Sequence, residues 1–348
     1  MIEHVAVIIP VFNGEKWLEE CLQSVADQSI LKINYVKLSV SVYNDASADN
    51  SKQVLDCWRL KFENLSIDFI VTDNCDAPGG VGFARNRAID VVLAKNESIE
   101  YFCFLDCDDV MKPQRIEKQL EMCRLNQNAI IGSQFIRNDA ATVRFTDWCN
   151  NLSGSLLETQ IYTSHGPTVA MPTWFIHRSK LQKFSEEGTG TPEDLLFFYK
   201  HLRNGGKVKR VDEKLVFYRY HPSNTTFSIK SETIWNVKLH FFIEDVLEKL
   251  DKFSIWGAGK LGKQLFRSLP ESIRHKVTQF FDVDQSKLKH GFVNLPYLPD
   301  EKSKWVPIEH VDSLKSPFVI CLKLNLLGFE EILAKFQFLE GVDYWIFN

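Results

Sequence analysis

The sequence predicts an α/β protein with a mostly parallel sheet covered by helices on both faces, followed by a smaller α/β unit. Three observations carry this. Short apolar runs alternate with amphipathic stretches of helical spacing over residues 1 to about 125, the pattern of successive βαβ units. The apolar string Tyr101-Phe-Cys-Phe-Leu105 stops abruptly at Asp106, Asp108 and Asp109. The alternation then restarts at Phe253, where a strand leads into Gly257-Ala-Gly-Lys-Leu-Gly262.

The elements follow in order. Residues 5–9 read as a strand, and 15–28 as a helix because Trp17, Leu18, Cys21, Leu22 and Val25 share one face. Residues 38–43 are a second strand, 51–62 a helix opened by a Ser/Asp turn, 67–72 a third strand, 81–94 a helix with a glycine-rich entry, and 101–105 a fourth strand. In such sheets ligands bind outside the carboxyl ends of the strands. The loops there, 10–14, 44–50, 73–82 and 106–109, are polar, Gly-rich or acidic. Residues 126–240 are less regular, and a helical run over 233–250 leads to the second unit, whose strands are expected at 253–256, 277–281 and 318–322. The boundary is placed near residue 250, giving domains of 1–250 and 251–348.

Composition narrows the function. The 348 residues are 45% hydrophobic and carry a formal net charge of −4, without a Lys/Arg run resembling a nucleic-acid arm. Arg203, Lys207, Lys209, Arg210 and Lys214 form one local basic cluster, readable as a phosphate-contact patch or a solvated loop. The opening Met1-Ile-Glu-His4 does not look like an export signal. No apolar segment approaches the roughly 20 residues that span a bilayer. The eight cysteines lack zinc-ligand spacing and read as reduced thiols. A cytoplasmic location without membrane contact is the expectation. The sequence is silent on oligomeric state.

Three carboxylates at one strand tip repel one another unless a cation sits among them, and hard oxygen ligands suit Mn²⁺ or Mg²⁺; an acidic turn capping the next helix is the alternative. Gly79, Gly80 and Gly82 lead into Arg85-Asn86, so backbone can approach an anion at a helix N-terminus. Glu193 and Asp194 begin a helix, either as caps or as acid–base groups.

Pro10-Val-Phe-Asn13, Asn44-Asp-Ala-Ser47, Arg85-Asn86, Asp106 to Asp109 and Glu193-Asp194 occur in an order and spacing that resemble family-2 glycosyltransferases of the GT-A (nucleotide-diphospho-sugar transferase) fold. The resemblance covers residues 3 to about 225. It implies that Pro10, Val11 and Asn13 line the nucleotide site, that Asp45 reads uracil, and that Arg85, Asn86 and Asp106 bind the donor. It further implies that Asp108, with His221, holds Mn²⁺ or Mg²⁺ on the diphosphate, and that Asp194, beside Glu193, is the general base of an inverting transfer. Thr173 and Trp174 fall on the acceptor side, where Trp174 either stacks on an acceptor or packs in the core. Further motifs, including Gly166-Pro-Thr-Val169, Met171-Pro-Thr-Trp-Phe175 and Pro317-Phe-Val-Ile-Cys321, resemble transferases that modify queuosine. That likeness implies UDP-galactose as donor and tRNA-Tyr carrying queuosine as partner, the acceptor being its cyclopentene diol. A glycan or lipid-linked acceptor is the alternative, and a non-catalytic nucleotide-sugar or NAD sensor a third reading. The glycine turn at 257–262 with Asp282 fits a Rossmann-like carboxy-terminal domain, either structural or docking.

Overall fold

A computed structural model describes the whole chain except residues 1, 34, 140–141, 164–165, 189, 222–228, 296–303 and 323–328. The chain divides into two compact units, Met1–Glu158 with Gly166–Thr233, and Thr159–His165 with Ile234–Asn348.

The first unit opens with β1 (Glu3–Val11), whose last seven residues are buried. A strand buried on both faces needs an uninterrupted apolar run, which Val5-Ala-Val-Ile-Ile9 supplies. Then come α1 (Glu15–Ala26), β2 (Val36–Asn44), α2 (Ser51–Asn64), β3 (Asp68–Asp73), α3 (Val81–Lys95) and β4 (Tyr101–Phe104). Helix α1 buries Leu18, Cys21, Leu22 and Val25 against the sheet, as its spacing predicts. After β5 (Val110–Met111) come α4 (Arg115–Leu125), β6 (Ala129–Ile136), α5 (Val143–Asn151), α6 (Leu156–Thr159), β7 (Phe175–His177), α7 (Glu193–Arg203) and β8 (Lys207–Phe217).

These strands form an eight-stranded sheet in the order β3-β2-β1-β4-β7-β6-β8-β5. Pairings β1–β2, β2–β3, β1–β4 and β6–β8 are parallel. Pairings β4–β7, β6–β7 and β5–β8 are antiparallel. The sheet is parallel where the βα alternation is regular and mixed beyond β4, because three-residue β7 enters after an irregular stretch rather than a βα crossover.

The second unit contains α8 (Ser231–Asp245), β9 (Phe253–Trp256), α9 (Lys260–Ser268), α10 (Glu271–Arg274), β10 (Val277–Asp282), α11 (Gln285–His290), β11 (Phe292–Leu295), β12 (Lys304–His310), β13 (Phe318–Ile320), α12 (Phe329–Leu333) and β14 (Tyr344–Ile346). Its sheet order is β11-β12-β10-β9-β13-β14. The division falls at Thr233/Ile234, ahead of residue 250, because α8 packs on the second unit. Trp235 meets Phe347 edge-on at 5.0 Å, Phe242 stacks on Phe347 at 5.1 Å, and Phe242 meets Tyr162 at 4.8 Å.

The glycine turn of this unit is real. Gly257 has φ 122°, and a Cβ at Gly262 would lie 1.9 Å from the Gly257 carbonyl. Asp282, however, is buried and already committed. One carboxylate oxygen accepts from the Ala258 N–H at 2.9 Å and from Lys287 Nζ at 2.8 Å, and the other from the Asp284 N–H at 3.0 Å. Three of the roughly four acceptor positions of this carboxylate are thus taken within the unit.

Candidate active site

The ends of β1 and β2 are stitched together. Asn13 sits at φ 52°; its N–H donates to Ser47 Oγ at 2.9 Å, and its side-chain oxygen accepts from the Ala48 N–H at 2.8 Å. Pro10 and Val11 are buried strand residues, so only their backbone is available to a ligand; the Val11 carbonyl accepts from the Asp45 N–H at 2.7 Å. Asp45 itself is nearly fully buried. Its carboxylate accepts from Asn74 at 3.0 Å, the Gly79 N–H at 3.0 Å and the Gly80 N–H at 2.8 Å. Its observed work is therefore to shape the glycine loop. One more acceptor position remains on a group that offers about four.

That loop forms one wall of a crevice lined by Gly79, Gly80, Val81, Gly82, Ser185, Gly188, Gly190, Thr191 and Glu193. Gly82 is required by proximity: a Cβ there would meet the Ser185 carbonyl at 2.2 Å. Arg85 and Asn86, one turn on, depart from the donor contacts expected of them. Asn86 is wholly buried and bonds the Phe184 backbone at both ends of its amide (3.0 and 2.9 Å) and Glu186 at 2.7 Å. Arg85 spans two acids, Asp106 at 2.7 Å and Glu193 at 2.6 Å. Burial opposes its charge, but Asp106 and Glu193 more than offset this and raise its pKa. Both residues belong to α3, whose inner face is covered by residues 184–193, so they brace the crevice rather than line it.

At the tip of β4 the acids separate in role. Asp106 takes Arg85. Asp109 is fully buried; its Oδ1 accepts from the Arg219 N–H at 2.8 Å, while Oδ2 has no hydrogen-bond partner among the described residues. Burial, then Asp108 and Asp106, push its carboxyl well above the usual range. Asp108 Oδ2 lies 2.8 Å from His221 Nε2. Burial and Asp106 raise the Asp108 carboxyl, with His221 opposing. Neighbouring ligands of an octahedral ion with bonds of about 2.1 Å lie about 3 Å apart. The Asp108–His221 contact is a hydrogen bond in length, and the same spacing could serve two adjacent positions of one divalent ion. No cluster of three or more His, Cys, Asp or Glu side chains able to hold a metal occurs among the described residues.

Sequence reasoning missed the scaffold behind this pair. Arg219 donates through Nε to the Asp108 carbonyl at 2.8 Å, pairs with Glu20, and lies 4.3 Å over the Trp17 ring. Trp17 in turn stacks on His221 at 5.5 Å. The only signal in the sequence was the position of Arg219, two residues before His221.

Asp194 sits in the first turn of α7, next to Glu193. Burial first, and Glu193 second, push its carboxyl up to about 7, with Arg85 opposing. Thr173 and Trp174 are not at the surface. Both are fully buried; Thr173 donates to the Ala170 carbonyl at 2.6 Å, and Trp174 donates to the Val169 carbonyl at 2.9 Å and packs on Phe197 and Phe198. Neither can stack on an acceptor. The basic cluster also disperses: Arg210 is buried, bonding Asp212 at 2.7 Å and the Cys149 carbonyl, and Lys207 pairs with Glu158 at 3.1 Å.

Comparison with known proteins decides the family. The family model described as glycosyl transferase family 2 matches residues 6–184, more than half of the chain. The chain belongs to glycosyl transferase family 2. An uncharacterized glycosyltransferase of Rickettsia conorii is 26% identical over 261 residues, 71% of this chain and 40% of that protein. A poly(ribitol-phosphate) beta-glucosyltransferase of Bacillus spizizenii is 32% identical over 126 residues, 36% of this chain and 18% of that protein. The poly(ribitol-phosphate) beta-N-acetylglucosaminyltransferase TarS of Staphylococcus aureus is 26% identical over 226 residues, 61% of this chain and 35% of that protein. The chain thus spans less than half the length of these curated relatives. The crystal structure of S. aureus TarS 1–349 with UDP-GlcNAc superposes with a TM-score of 0.56 at 16% identity, covering 88% of this chain and all of that one. The fold of this family-2 member is therefore GT-A-like. No helix among its described residues is long and apolar enough to cross a membrane.

Proposed function

We propose that the chain is an inverting UDP-sugar transferase whose acceptor is a hydroxyl of a glycan or polyol. The carrying observation is the Arg85 bridge: one buried guanidinium joins Asp106 of the acidic turn to Glu193 at the start of α7, the helix that bears Asp194. In this reading the β1 and β2 ends and the glycine loop cradle the nucleotide, and the first N–H groups of α3 meet the diphosphate. Asp108 and His221 hold a divalent ion, which when bound neutralises charge gathering on the departing UDP. Asp194 takes the proton of the acceptor hydroxyl as that oxygen bonds the anomeric carbon. The bond from this carbon to the UDP oxygen breaks on the opposite face. A single displacement turns an α-linked donor into a β-linked product.

The beta-transferases among the relatives, and the UDP-GlcNAc in the TarS structure, support a UDP-sugar donor and a polyol-bearing acceptor. The test is UDP release and product formation with UDP-glucose, UDP-GlcNAc and UDP-galactose, with Mn²⁺ and after chelation. Asp108→Ala should lose transfer and weaken UDP binding in Mn²⁺. Asp194→Asn should bind UDP yet lose turnover; wild-type turnover in that variant would remove it as base.

A narrower reading rests on the resemblance of motifs in both units to queuosine-tRNA galactosyltransferase: galactose passes from UDP-galactose to queuosine at the wobble position of tRNA-Tyr. Labelled UDP-galactose with tRNA from queuine-fed and queuine-starved cells separates it from the broader one. Labelling confined to the fed tRNA supports it, and equal or absent labelling removes it.

A further inference from the structure

With Trp174 and Thr173 buried, acceptor recognition must come from elsewhere, and the end of β6 offers it. Arg137 follows β6 directly, beside the end of β8, where the Tyr218 N–H donates to the Ile136 carbonyl at 2.8 Å. Its guanidinium lies 4.0 Å over the Tyr218 ring, with Phe145 at 5.4 Å and Tyr220 at 5.7 Å. Its Nε is buried and has no hydrogen-bond partner among the described residues. Arg85, Arg124, Arg210 and Arg219 each pair with a carboxylate; Arg137 pairs with none among the described residues. An aromatic cage holds a cation by its ring faces without consuming the Nε–H.

Two more unspent groups flank Phe145. The hydroxyls of Thr142 and Thr146 are buried and unpartnered, one helical turn apart, with the Thr146 N–H on the Thr142 carbonyl at 3.0 Å. Buried polar atoms are normally satisfied, so three orphans in one segment leave room for an ordered water or a ligand's oxygens. Around them, the Asp139 carboxylate accepts from the Thr142 N–H at 3.0 Å. Asn138 clasps the Tyr220 backbone at 2.8 and 3.2 Å. The location is close to the chemistry. Tyr218, under the Arg137 guanidinium, is followed directly by Arg219, whose N–H donates to Asp109 Oδ1 at 2.8 Å.

We propose that Arg137, with the hydroxyls of Thr142 and Thr146, binds a phosphate group of the acceptor beside the transfer centre. A guanidinium and two hydroxyls match the several oxygens of a tetrahedral anion. The proposal rests on the transferase reading and gives its acceptor a charge. A polyol phosphate and a nucleic-acid backbone share this chemistry.

The test uses the full chain and three probes by calorimetry: ribitol, ribitol 5-phosphate and a short RNA hairpin. UDP with Mn²⁺ is titrated separately, so that failure of the donor reading is seen independently of the phosphate result. Wild type should bind ribitol 5-phosphate about tenfold or more tighter than ribitol, and Arg137→Gln should remove that preference. Arg137→Lys, which keeps the charge but loses the Nε–H, should retain only part of it, and Thr142→Val with Thr146→Val should reduce it about threefold. Sensitivity of hairpin binding to Arg137→Gln would assign the phosphate to a nucleic acid, and sensitivity with ribitol 5-phosphate alone to a polyol. Equal wild-type affinity for ribitol and its phosphate, together with hairpin binding that Arg137→Gln leaves unchanged, overturns the proposal. So does an unchanged preference in the arginine and threonine variants. Should Arg137→Gln fail to fold by circular dichroism, the lysine and valine variants decide.

Discussion

A single guanidinium shows how little a residue's type says about its task. Arg85 reads in sequence as a ligand for phosphate, and in the structure it is an internal strut between Asp106 and Glu193. Removing one partner of a buried charge network leaves the others uncompensated. Arg85→Ala should therefore cost about 3–5 kcal/mol in urea denaturation, besides turnover. Asp194 carries a pH signature. With its carboxyl pushed up to about 7 and ionisation needed for base function, kcat/KM should rise with pH to a plateau above that value. The sign for stability is the reverse. The unfolded carboxyl ionises near its ordinary value of about 3.9, so between there and 7 the folded chain holds a proton the unfolded chain has lost. Its contribution to stability falls with rising pH over that window and is level above it. Asp194→Asn should narrow the difference between urea midpoints at pH 5 and pH 8; an unchanged difference would remove Asp194 as its source.

Elements decide what the residues face. The first turn of α3 approaches the 185–191 loop so closely that Gly82→Ala would press a methyl into the Ser185 carbonyl. The crevice should open and UDP affinity drop about tenfold or more, read by calorimetry. The stretch before β7 turns Trp174 into the core against α7. Trp174→Ala should lower stability by about 3–5 kcal/mol, the cost of a large aromatic cavity. A soluble, fully stable variant with only a raised acceptor KM would contradict the packing. Helix periodicity made α1, α2 and α3 legible, because each buries one stripe on a sheet. The antiparallel entry of β7 was not legible, since three residues carry no period.

At the scale of the whole molecule, two units each form a sheet of their own, and only the first carries the acids of the site. The second has the glycine turn of a nucleotide-binding unit, but Asp282 is spent on Ala258 and Lys287. NADH fluorescence should not change on titration with the chain; saturable binding weakened by Asp282→Ala would show the carboxylate to be available after all.

The sequence by itself determined the alternation of strands and helices, the acidic tip of β4, the glycine entry of α3 and the family to which these belong. All of these are written in local order, in periods of two and 3.6 and in residues a few positions apart. Only the tertiary structure decided which polar groups face the crevice and which are consumed inside it. Asn86, Thr173, Trp174 and Arg210 are withdrawn, Arg85 becomes a brace, and Arg137 emerges with its Nε–H unspent. Several of those outcomes depend on distant partners, such as Phe184 for Asn86, Glu193 for Arg85 and Cys149 for Arg210, and no local pattern records where a distant chain segment will come to rest.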